Sequence, residues 1–358
     1  MNEDLGEEEK KEVKKKMVVL TEAALTHYET KRDMGIEGRS AGRLYFLRSF
    51  NNWVKSTLIR QYCKRGSSVF DLCCGKGGDI HKWKLSNCGH YVGMDISEHA
   101  INHAVERFKK YNSKEIFPAI FVKNADVSDT TLDINYIIPN NIRFDIVSCQ
   151  MSMHYIFHSE ESVRCFLKIV TSRLVPGGYF IGTIPDANVL VKKVRATKLT
   201  TDLQGNKRMF TFGNGFYSAI IPQKRFPKDK VYGIRYYFYL EDSVGRKEGD
   251  KVVYVPEYLV IFNKFKELAE EYGLELLERK NFHEFYSDNI KNHSHRKVFF
   301  KMVRSKETDT DKELKEQWDA IYVYMAFAFR MKGTPLERTC GNCGSTEHLR
   351  EINAKGWD

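Results

Sequence analysis

The sequence predicts an α/β fold, in which a doubly wound, mostly parallel sheet carries helices on both faces and includes an inserted β-rich region. Two observations support this prediction. Strand-like and helix-like segments alternate from about residue 68 to residue 184, a pattern that is typical of parallel sheets built from strand–helix–strand units. Residues from about 190 to 255 are rich in Gly, Lys, Tyr and Phe and lack a helical period, which favours short strands and loops.

The individual elements follow in order along the chain. An amphipathic helix comes first, because apolar residues recur at helical spacing at Phe46, Phe50, Trp53, Val54 and Leu58. The predicted strands and helices then alternate as Ser68–Cys73, Asp79–Leu85, Tyr91–Ile96, Glu98–Tyr111, Phe117–Val122, Phe144–Cys149, Ser162–Leu174 and Tyr179–Ile184. After the β-rich region we predict a helix over Pro256–Tyr272, with the proline in its first turn, then a helix near Leu314 and an apolar strand over Ile321–Phe329.

Charge and composition divide the chain into three parts. Residues 1–35 form a charged N-terminal arm, whose lysines at positions 10, 11, 14, 15 and 16 fit a solvated helix face, a nuclear-import signal or an RNA-contacting patch. Residues 36–330 form the main domain, with an insertion at about 188–255, and residues 331–358 form a polar tail. The formal net charge of +10 favours an anionic partner such as RNA or a nucleotide, although a solvated lysine surface explains it equally well.

Several protein classes are disfavoured by the sequence. We expect no membrane helix and no signal peptide, because no long apolar segment occurs. The eight cysteines include the adjacent pair Cys73 and Cys74, which indicates reduced thiols rather than a disulfide framework. In the tail, Cys340 and Cys343 have the spacing of metal ligands and His348 follows, but the fourth position of a zinc knuckle is Asn353. We therefore predict no metal site.

A glycine-rich turn over Phe70–Asp79 lies between the first predicted strand and helix of the sheet. Glycines there allow the backbone to approach a ligand closely, although many classes of nucleotide-binding protein share this feature. Asp95 ends the next strand about 20 residues later, where an acid can accept hydrogen bonds from both ribose hydroxyls. The alternative is that Asp95 caps the following helix.

The residues around this turn distinguish between cofactors. Lys76 and Asp79 stand where a dinucleotide enzyme would need glycines to seat a pyrophosphate. Asp71, at the end of the first strand, suits a cationic cofactor that carries an amino-acid group. The turn therefore favours S-adenosylmethionine. Asp126 ends the third strand and is positioned to accept a hydrogen bond from the adenine amino group, although it could equally be an ordinary turn residue.

With these residues assigned, the chain resembles the mRNA cap guanine-N7 methyltransferases over roughly residues 40 to 330. The resemblance is carried by Phe50–Lys55, Gly75–Asp79 with Lys82–Lys84, Ser148–Gln150 with His154–Tyr155, Pro176–Thr183, Val255–Tyr258, and Tyr324, Phe327 and Phe329. It implies a class I S-adenosylmethionine methyltransferase fold, which is Rossmann-like, with the insertion binding the cap. It also implies a nuclear enzyme that acts on the capped mRNA 5′ end, with capping enzyme or the RNA polymerase II machinery as candidate partners.

The resemblance implies roles for individual residues as well. Together with the motif residues Asp71, Cys73 and Gly75, the expected cofactor contacts are Lys55, Asp95, Asp126, Gln150 and Tyr155. The expected cap contacts are Asn51, Asn52, Lys76, Lys82, Arg107, His154, Glu257 and Tyr324. The family usually carries a small residue, often Gly, where this chain has Cys73. Cysteine is small enough to preserve the close approach, and a reactive thiol is the alternative.

The chemistry of guanine N7 predicts a site without an acid–base residue. N7 carries no proton and already has a nucleophilic lone pair, so proximity, orientation and electrostatics are sufficient for in-line methyl transfer. We expect His154, Tyr155 and Glu257 to position the guanine, although His154 could also be a general base or a core residue. Glu257, placed in the first turn of the predicted helix, would accept from the guanine N1–H and amino group or only complement the helix dipole.

The cap triphosphate requires cations. Lys76, Lys82 and Arg107 are predicted to face one side of the cofactor cleft and pair with the phosphates, although they could be ordinary surface charges. Two other functions stay open: methylation of another RNA site or of a small molecule, and a catalytically inactive cap-binding subunit. The Asn51–Asn52 pair, Glu257 and the aromatic strand disfavour the first. Lys55, Asp95 and Gln150 disfavour the second, because a pure binding protein needs no cofactor pocket.

Overall fold

A computed structural model describes residue 26 and residues 42–198, 200–203, 207–223, 225–226, 229–249, 251–334 and 348–355. The predicted N-terminal arm, except for Thr26, and the cysteines of the tail, Cys340 and Cys343, lie outside these residues. The elements below are numbered along the part of the chain that is described.

The first half of this region alternates strands and helices as the sequence predicts. The elements are α1 (Tyr45–Tyr62), β1 (Ser68–Leu72), α2 (Ile80–Leu85), β2 (His90–Met94), α3 (Glu98–Lys109), β3 (Ala119–Lys123), α4 (Ile134–Ile137), β4 (Phe144–Gln150), α5 (Glu160–Ser172) and β5 (Leu174–Pro185). All five strands run parallel to their neighbours in this group, which confirms the predicted parallel sheet.

The inserted region forms a second sheet. α6 (Ala187–Ala196) leads to β6 (Thr200–Leu203), β7 (Lys207–Gly213), β8 (Tyr217–Ile221), β9 (Arg235–Leu240), β10 (Arg246–Glu248), β11 (Lys251–Val253) and β12 (Val255–Tyr258). Five of these strands form an antiparallel sheet in the order β12–β9–β8–β7–β6, and β10 pairs with β11 separately. The predicted β-rich insertion is therefore confirmed.

The chain then returns to the main sheet. The remaining elements are α7 (Phe262–Glu271), β13 (Leu274–Asn281), α8 (Phe282–Asn289), α9 (His293–Met302), α10 (Asp311–Ile321), β14 (Tyr324–Met331) and β15 (Leu349–Asn353). The complete sheet has eight strands in the order β13–β14–β5–β4–β1–β2–β3–β15. β14 pairs with β5 in the antiparallel direction, and β13 pairs with β14 in the antiparallel direction, so the sheet is mostly, but not wholly, parallel.

Strand alternation sends side chains into two cores, one on each face of the sheet. On β1, Phe70 and Leu72 belong to the core that also contains residues of α4, α5 and α7, whereas Val69 belongs to the core with residues of α1, α2, α3 and α8. Asp71 shares the face of Val69. Its Oδ2 accepts hydrogen bonds from Trp83 Nε1 at 3.4 Å and Tyr91 OH at 3.0 Å. Asp71 is therefore anchored in the core that contains Val69 and α1, which we call the α1-side core.

The helix predicted to start at Pro256 starts instead at Phe262, and this prediction was wrong. Pro256 and Glu257 lie on β12, where Glu257 pairs with Tyr236 of β9. A proline is tolerated both in the first turn of a helix and on an edge strand, and β12 lies at the edge of its sheet. Glu257 therefore faces no helix dipole, and the helix-end alternative for its role is removed.

The polar tail includes a strand that the sequence analysis did not identify. β15 pairs in parallel with β3 along Leu349–Asn353, and Ala119 N donates to His348 O at 3.0 Å. Asn124 Nδ2 also donates to Asn353 Oδ1 at 3.1 Å. This strand covers the edge of β3 next to the loop that carries Asp126. The description of residues 331–358 as only a tail is therefore corrected for this segment.

Truncation after Glu347 should lower the melting temperature by roughly 5 °C relative to the full chain. The truncated protein loses several ladder hydrogen bonds worth about 1 kcal/mol each and exposes β3 as a bare edge. Truncation after Lys355 keeps β15 and serves as the control, since its melting temperature should match that of the full chain. Thermal unfolding followed by circular dichroism measures both, and equal melting temperatures for the two truncations would contradict a stabilising role for β15.

Candidate active site

The predicted cofactor residues converge at one edge of the main sheet. Cys73 follows β1, Asp95 follows β2, Asp126 lies shortly after β3, and Gln150 ends β4. These strands are neighbours in the order β4–β1–β2–β3, and the carboxyl ends of parallel strands share an edge. The order reverses between β1 and β4, which is where open α/β sheets bind ligands.

The glycine-rich turn is tied to Asp95. Gly75 has a φ of 53°, and its N–H donates to Asp95 Oδ2 at 2.8 Å. Ser97 N donates to Asp95 Oδ1 at 2.9 Å, whereas the cap of α3 is the side chain of Ser97, which accepts from Ala100 N. Asp95 is therefore not the helix cap. Burial raises its pKa, and each of its oxygens retains a lone pair for a ligand donor.

Two positions of the turn depend on their residue type. Gly77 has a φ of 66°, and a Cβ there would lie 2.5 Å from Ile80 Cδ1 and 3.0 Å from Ala104 Cβ. Cys73 also has a positive φ, 54°. A hydrogen bond to Cys149 and burial raise the pKa of the Cys73 thiol well above its usual range. Because the thiolate is the reactive form, this disfavours the reactive-thiol alternative.

Asp71 and Gln150 belong to one buried polar chain. Ser148, which pairs with Asp71 across β1 and β4, accepts from Gln150 Nε2 at 3.2 Å, and Thr183 Oγ1 donates to Gln150 Oε1 at 3.0 Å. Burial, followed by the charge of Asp79, raises the pKa of Asp71 to about 7, although a hydrogen bond from Ser148 opposes the rise. Asp71 therefore supports Gln150 through Ser148 and has protein partners of its own.

Asp126 holds the turn after β3. Its Oδ1 accepts from Ser128 N at 2.9 Å and from Ser128 Oγ at 2.7 Å. This is an Asx turn, in which the side chain substitutes for a backbone acceptor. The turn uses one carboxylate oxygen and leaves Oδ2 outside it, so the two roles weighed for Asp126 are compatible.

A buried carboxylate, Asp79, joins two of the predicted lysines. Lys55 Nζ lies 2.8 Å and Lys82 Nζ 2.7 Å from Asp79 Oδ1, and Lys82 also donates to Asn52 Oδ1 at 2.8 Å. Burial favours a raised pKa for Asp79, but the charges of Lys55 and Lys82 outweigh it and hold the pKa well below its usual range. Burial lowers the pKa of Lys82. Two cations and one anion leave this cluster with one net positive charge.

A second cluster surrounds Glu257, whose residue is only 2% exposed. Its carboxylate accepts hydrogen bonds from the hydroxyls of Tyr236 and Tyr155, the latter at 3.2 Å. His154 Nε2 lies 3.6 Å from Glu257 Oε1, and the His154 and Tyr155 rings are 4.3 Å apart. The structure therefore brings together the three residues predicted to position the guanine.

Two buried polar atoms of the predicted cap set have no hydrogen-bond partner within the described parts of the chain. They are His154 Nδ1 and Asn51 Oδ1. A buried polar group without a partner is costly, and such groups often bind a ligand or an ordered water. These atoms therefore mark polar positions that a substrate could satisfy.

The other predicted cap residues are more dispersed. Lys76, in the glycine-rich turn, and Arg107, on α3, are half-buried. Tyr324 begins β14, is 3% exposed and packs 5.8 Å from the Phe282 ring. These three predicted contacts come from the glycine-rich turn, α3 and β14.

Sequence reasoning missed two residues that organise these clusters. Asp79 was noted only as flanking the turn, although its spacing of three residues from Lys82 permits a pair on one helix face. Tyr236 lies in the aromatic-rich insertion, where no motif distinguished it from neighbouring tyrosines. Only the register of β9 against β12 reveals that it faces Glu257.

The described residues contain neither a metal-binding cluster nor a membrane-spanning helix. No three His, Cys, Asp or Glu side chains are grouped to hold a metal ion among the residues for which coordinates are described. In the same residues, none of the helices is sufficiently long and apolar to cross a membrane. The six cysteines of this region are free.

The sequence is similar to one family of known proteins over most of its length. Residues 8–332 match the mRNA (guanine-N(7))-methyltransferase domain family. The chain is 36% identical to mRNA cap guanine-N(7) methyltransferase 1 of Oryza sativa subsp. japonica, covering 86% of this chain and 81% of that protein. It is 36% identical to the cap methyltransferase of Schizosaccharomyces pombe, with the same coverage, and 30% identical to that of Caenorhabditis elegans, covering 92% of each.

The chain is similar to an S-adenosylmethionine-dependent methyltransferase from Clostridium acetobutylicum, with a TM-score of 0.43, 13% identity, and coverage of 80% of this chain and 92% of that one. The family assignment rests on the sequence matches, which span most of the chain. The chain belongs to the mRNA (guanine-N(7))-methyltransferase family, whose members depend on S-adenosylmethionine.

Proposed function

We propose that this protein transfers a methyl group from S-adenosylmethionine to N7 of the guanosine cap at mRNA 5′ ends, by in-line transfer without a general base. The observation that carries the proposal is the buried Glu257 carboxylate beside His154 and Tyr155. The relatives from rice, fission yeast and nematode bear the name of this activity. We also propose a nuclear location and capping enzyme or the RNA polymerase II machinery as candidate partners, since the substrate is made there.

The residues at the strand ends fit the cofactor. An added Cβ at Gly75 or Gly78 would meet no atom within 4 Å, so these glycines border open space that a ligand can enter closely. Asp95 has acceptor capacity for the ribose hydroxyls, and Gln150 is held in place by Ser148 and Thr183. When bound, S-adenosylmethionine supplies an electrophilic methyl group on its sulfonium. Lys55, Asp126 and Tyr155 complete the proposed set.

Glu257 suits guanine recognition. A carboxylate offers about four acceptor sites, and the hydroxyls of Tyr155 and Tyr236 use two of them. The remaining sites can accept the guanine N1–H and exocyclic amino group as a pair. Adenine lacks this pair of adjacent donors, so the carboxylate would discriminate between the bases. The two tyrosine hydroxyls fix the carboxylate before the substrate arrives.

The reaction requires no proton transfer by the protein before methyl transfer. Guanine N7 already presents a lone pair, so the protein contributes binding and orientation, for which effective molarities can reach about 10⁵ M or more. The unsatisfied Nδ1 of His154 is suited to a hydrogen bond with the substrate, rather than to removal of a proton. The buried environment strengthens the electrostatic contacts that align the two reactants.

The Asp79 cluster can contact both ligands, because its two lysines are held close together. Lys55 is proposed to contact the cofactor and Lys82 a cap phosphate, while Asp79 keeps the two ammonium groups near each other. In the free protein the three donors of Lys82 point to Asp79, Asn52 and Gly78 O. A phosphate would replace one of the weaker partners, such as the Gly78 carbonyl at 3.4 Å. Lys76, Arg107, Asn51 and Tyr324 remain proposed cap contacts.

The proposed activity can be tested by methyl transfer from labelled S-adenosylmethionine. G-capped RNA should be methylated, and nuclease digestion should release 7-methylguanosine, whereas A-capped RNA, uncapped RNA and tRNA should not react. Label in uncapped RNA or tRNA would support the alternative of another RNA substrate. Absence of S-adenosylhomocysteine binding by calorimetry, with cap binding retained, would identify an inactive cap-binding subunit.

Glu257→Gln should lower kcat/KM for G-capped RNA by at least about 100-fold while the protein remains folded. The amide keeps one acceptor but presents a donor where guanine also donates, and sites built around hydrogen bonds reject unmatched partners by up to roughly 10⁴-fold. The measurement is steady-state methylation of G-capped RNA, with the melting temperature as a check of folding.

Tyr236→Phe is the matched control for this variant. It removes one support of the carboxylate but leaves the charge, so kcat/KM should fall only about fivefold, as expected for one hydrogen bond of about 1 kcal/mol. If Tyr236→Phe is as damaging as Glu257→Gln, the cluster serves to hold β9 and β12 together and the guanine assignment fails.

Lys55→Ala and Lys82→Ala should each weaken the binding of a different ligand. Lys82→Ala should raise KM for capped RNA about tenfold, because it removes a charge-assisted contact, and should change the Kd for S-adenosylhomocysteine less than twofold. Lys55→Ala should raise the Kd for S-adenosylhomocysteine about tenfold and raise the KM for capped RNA by a smaller factor. Calorimetry and steady-state kinetics provide the two values. Equal losses of both ligands in both variants would mean that the Asp79 cluster acts only as a structural unit.

A further inference from the structure

Helix α9 presents a basic face to solvent. Its partly buried side chains Val298, Phe299 and Met302 pack against the α1-side core, and they follow the i, i+1, i+4 spacing of one helix stripe. Lys297, Phe300 and Lys301 are therefore directed away from the core, and all three are exposed. Phe300 is 64% exposed. We refer to Lys297, Phe300 and Lys301 as the α9 surface.

The charges of the α9 surface are not neutralised by nearby acids. No Asp or Glu occurs between Asp288 and Glu307. Among the parts of the chain with described coordinates, neither Lys297 nor Lys301 forms an ion pair. Helix α7 shows the contrasting arrangement, since Lys264 pairs with Glu267 at 2.6 Å and Lys266 with Glu270 at 3.5 Å.

Helix α9 packs against α1, which carries residues of the proposed cap site. The Phe299 ring packs 5.2 Å from the ring of Trp53 on α1, and Trp53 Nε1 donates to His295 O at 3.1 Å. α1 also carries Asn52 and Lys55. At the other end of the helix, the charge of Lys301 contributes to lowering the pKa of His81, the residue before Lys82.

His81, on α2, forms an aromatic pair with Tyr111. Their rings are nearly parallel, with 12° between planes and 6.2 Å between centroids, and Tyr111 OH is 3.2 Å from His81 Nδ1. Burial, followed by the charges of Lys82, Lys84 and Lys301, lowers the pKa of His81. The imidazole is therefore mainly neutral at physiological pH, and it offers a flat ring rather than an additional charge.

We propose that the α9 surface, with His81, binds the RNA chain that follows the cap. This proposal rests on the proposed function, and it names the part of the substrate that the cap pocket does not hold. Single-stranded RNA carries regularly spaced phosphates and unpaired bases, and proteins bind it by combining a basic track with aromatic rings. An acidic peptide would be attracted by the same lysines, but the exposed Phe300 ring between them offers a surface on which a base can stack.

The test compares two double variants of the full chain. Lys297→Ala with Lys301→Ala removes two charges from the α9 surface, and Lys264→Ala with Lys266→Ala removes two paired charges from α7. Fluorescence anisotropy with an uncapped 20-nucleotide single-stranded RNA measures binding independently of methylation. The α9 variant should bind about tenfold more weakly, and the slope of log K against log salt should become shallower by about 1.4, as expected for two lost phosphate contacts. The α7 variant should match the wild type.

Two further readouts identify the bound part of the substrate. Phe300→Ala should weaken binding to uncapped RNA about fivefold without changing the salt slope, because stacking releases no counterions. Methylation kinetics should show a raised KM for capped 20-nucleotide RNA in the α9 double variant and an unchanged KM for the cap dinucleotide GpppG. If GpppG is methylated normally but uncapped RNA binds all variants equally, this proposal fails while the proposed function stands.

Other results would also overturn the proposal. Equal losses in the α7 and α9 variants would show that bulk charge, and not this surface, attracts RNA. The α9 double variant could also bind RNA normally but lose binding to an acidic phosphopeptide. That result would assign the surface to a protein partner. If the wild-type protein methylated neither GpppG nor capped RNA, the proposed function would be refuted. The binding assay with uncapped RNA would still decide the role of the α9 surface.

Discussion

The arrangement of the site depends on one buried carboxylate, Asp79. It draws Lys55 from α1 and Lys82 from α2 to the same oxygen, and thereby connects the helix before the sheet to the first crossover helix. Without it, the buried ammonium group of Lys82 and the half-buried one of Lys55 would repel each other in a region of low dielectric. Asp79 reduces the local charge without cancelling it, and the remaining positive charge lies between the proposed cofactor and phosphate contacts.

The candidate site also depends on contact between the main sheet and the inserted sheet. The strand ends of the main sheet supply Asp95, Gln150 and the turn containing Tyr155, whereas Glu257 comes from the edge strand of the inserted sheet. The hydrogen bond from Tyr155 to Glu257 joins them directly. In the proposed function, this division assigns methyl-donor binding to the parallel sheet and base recognition to the inserted sheet. It also explains why a deeply buried carboxylate belongs to an otherwise peripheral strand.

The sequence predicted the features that follow from local patterns, but not those that depend on tertiary pairing. Alternating segments revealed the parallel sheet and the convergence at its carboxyl edge. Pro256 fitted a helix start as well as an edge strand, and only pairing with β9 decides between them. β15 escaped detection because Leu349 and Ile352 do not alternate with period two. Asp71 was predicted as a cofactor contact from its position. Strand alternation directs it toward Trp83 and Tyr91, and its contact with the cofactor stays a prediction.

The distribution of charge carries more information than the net value of +10. On α7 the lysines are balanced by glutamates one turn away, and in the site Asp79 balances part of the charge of two lysines. On α9 no such balance exists, although an acid at one exposed position would have relieved the repulsion between Lys297 and Lys301 at a gain of a few tenths of a kcal/mol. An unbalanced helix packed against α1 forgoes that small stabilisation. In return, its charges remain available to an external phosphate chain, which a self-paired surface would attract only weakly.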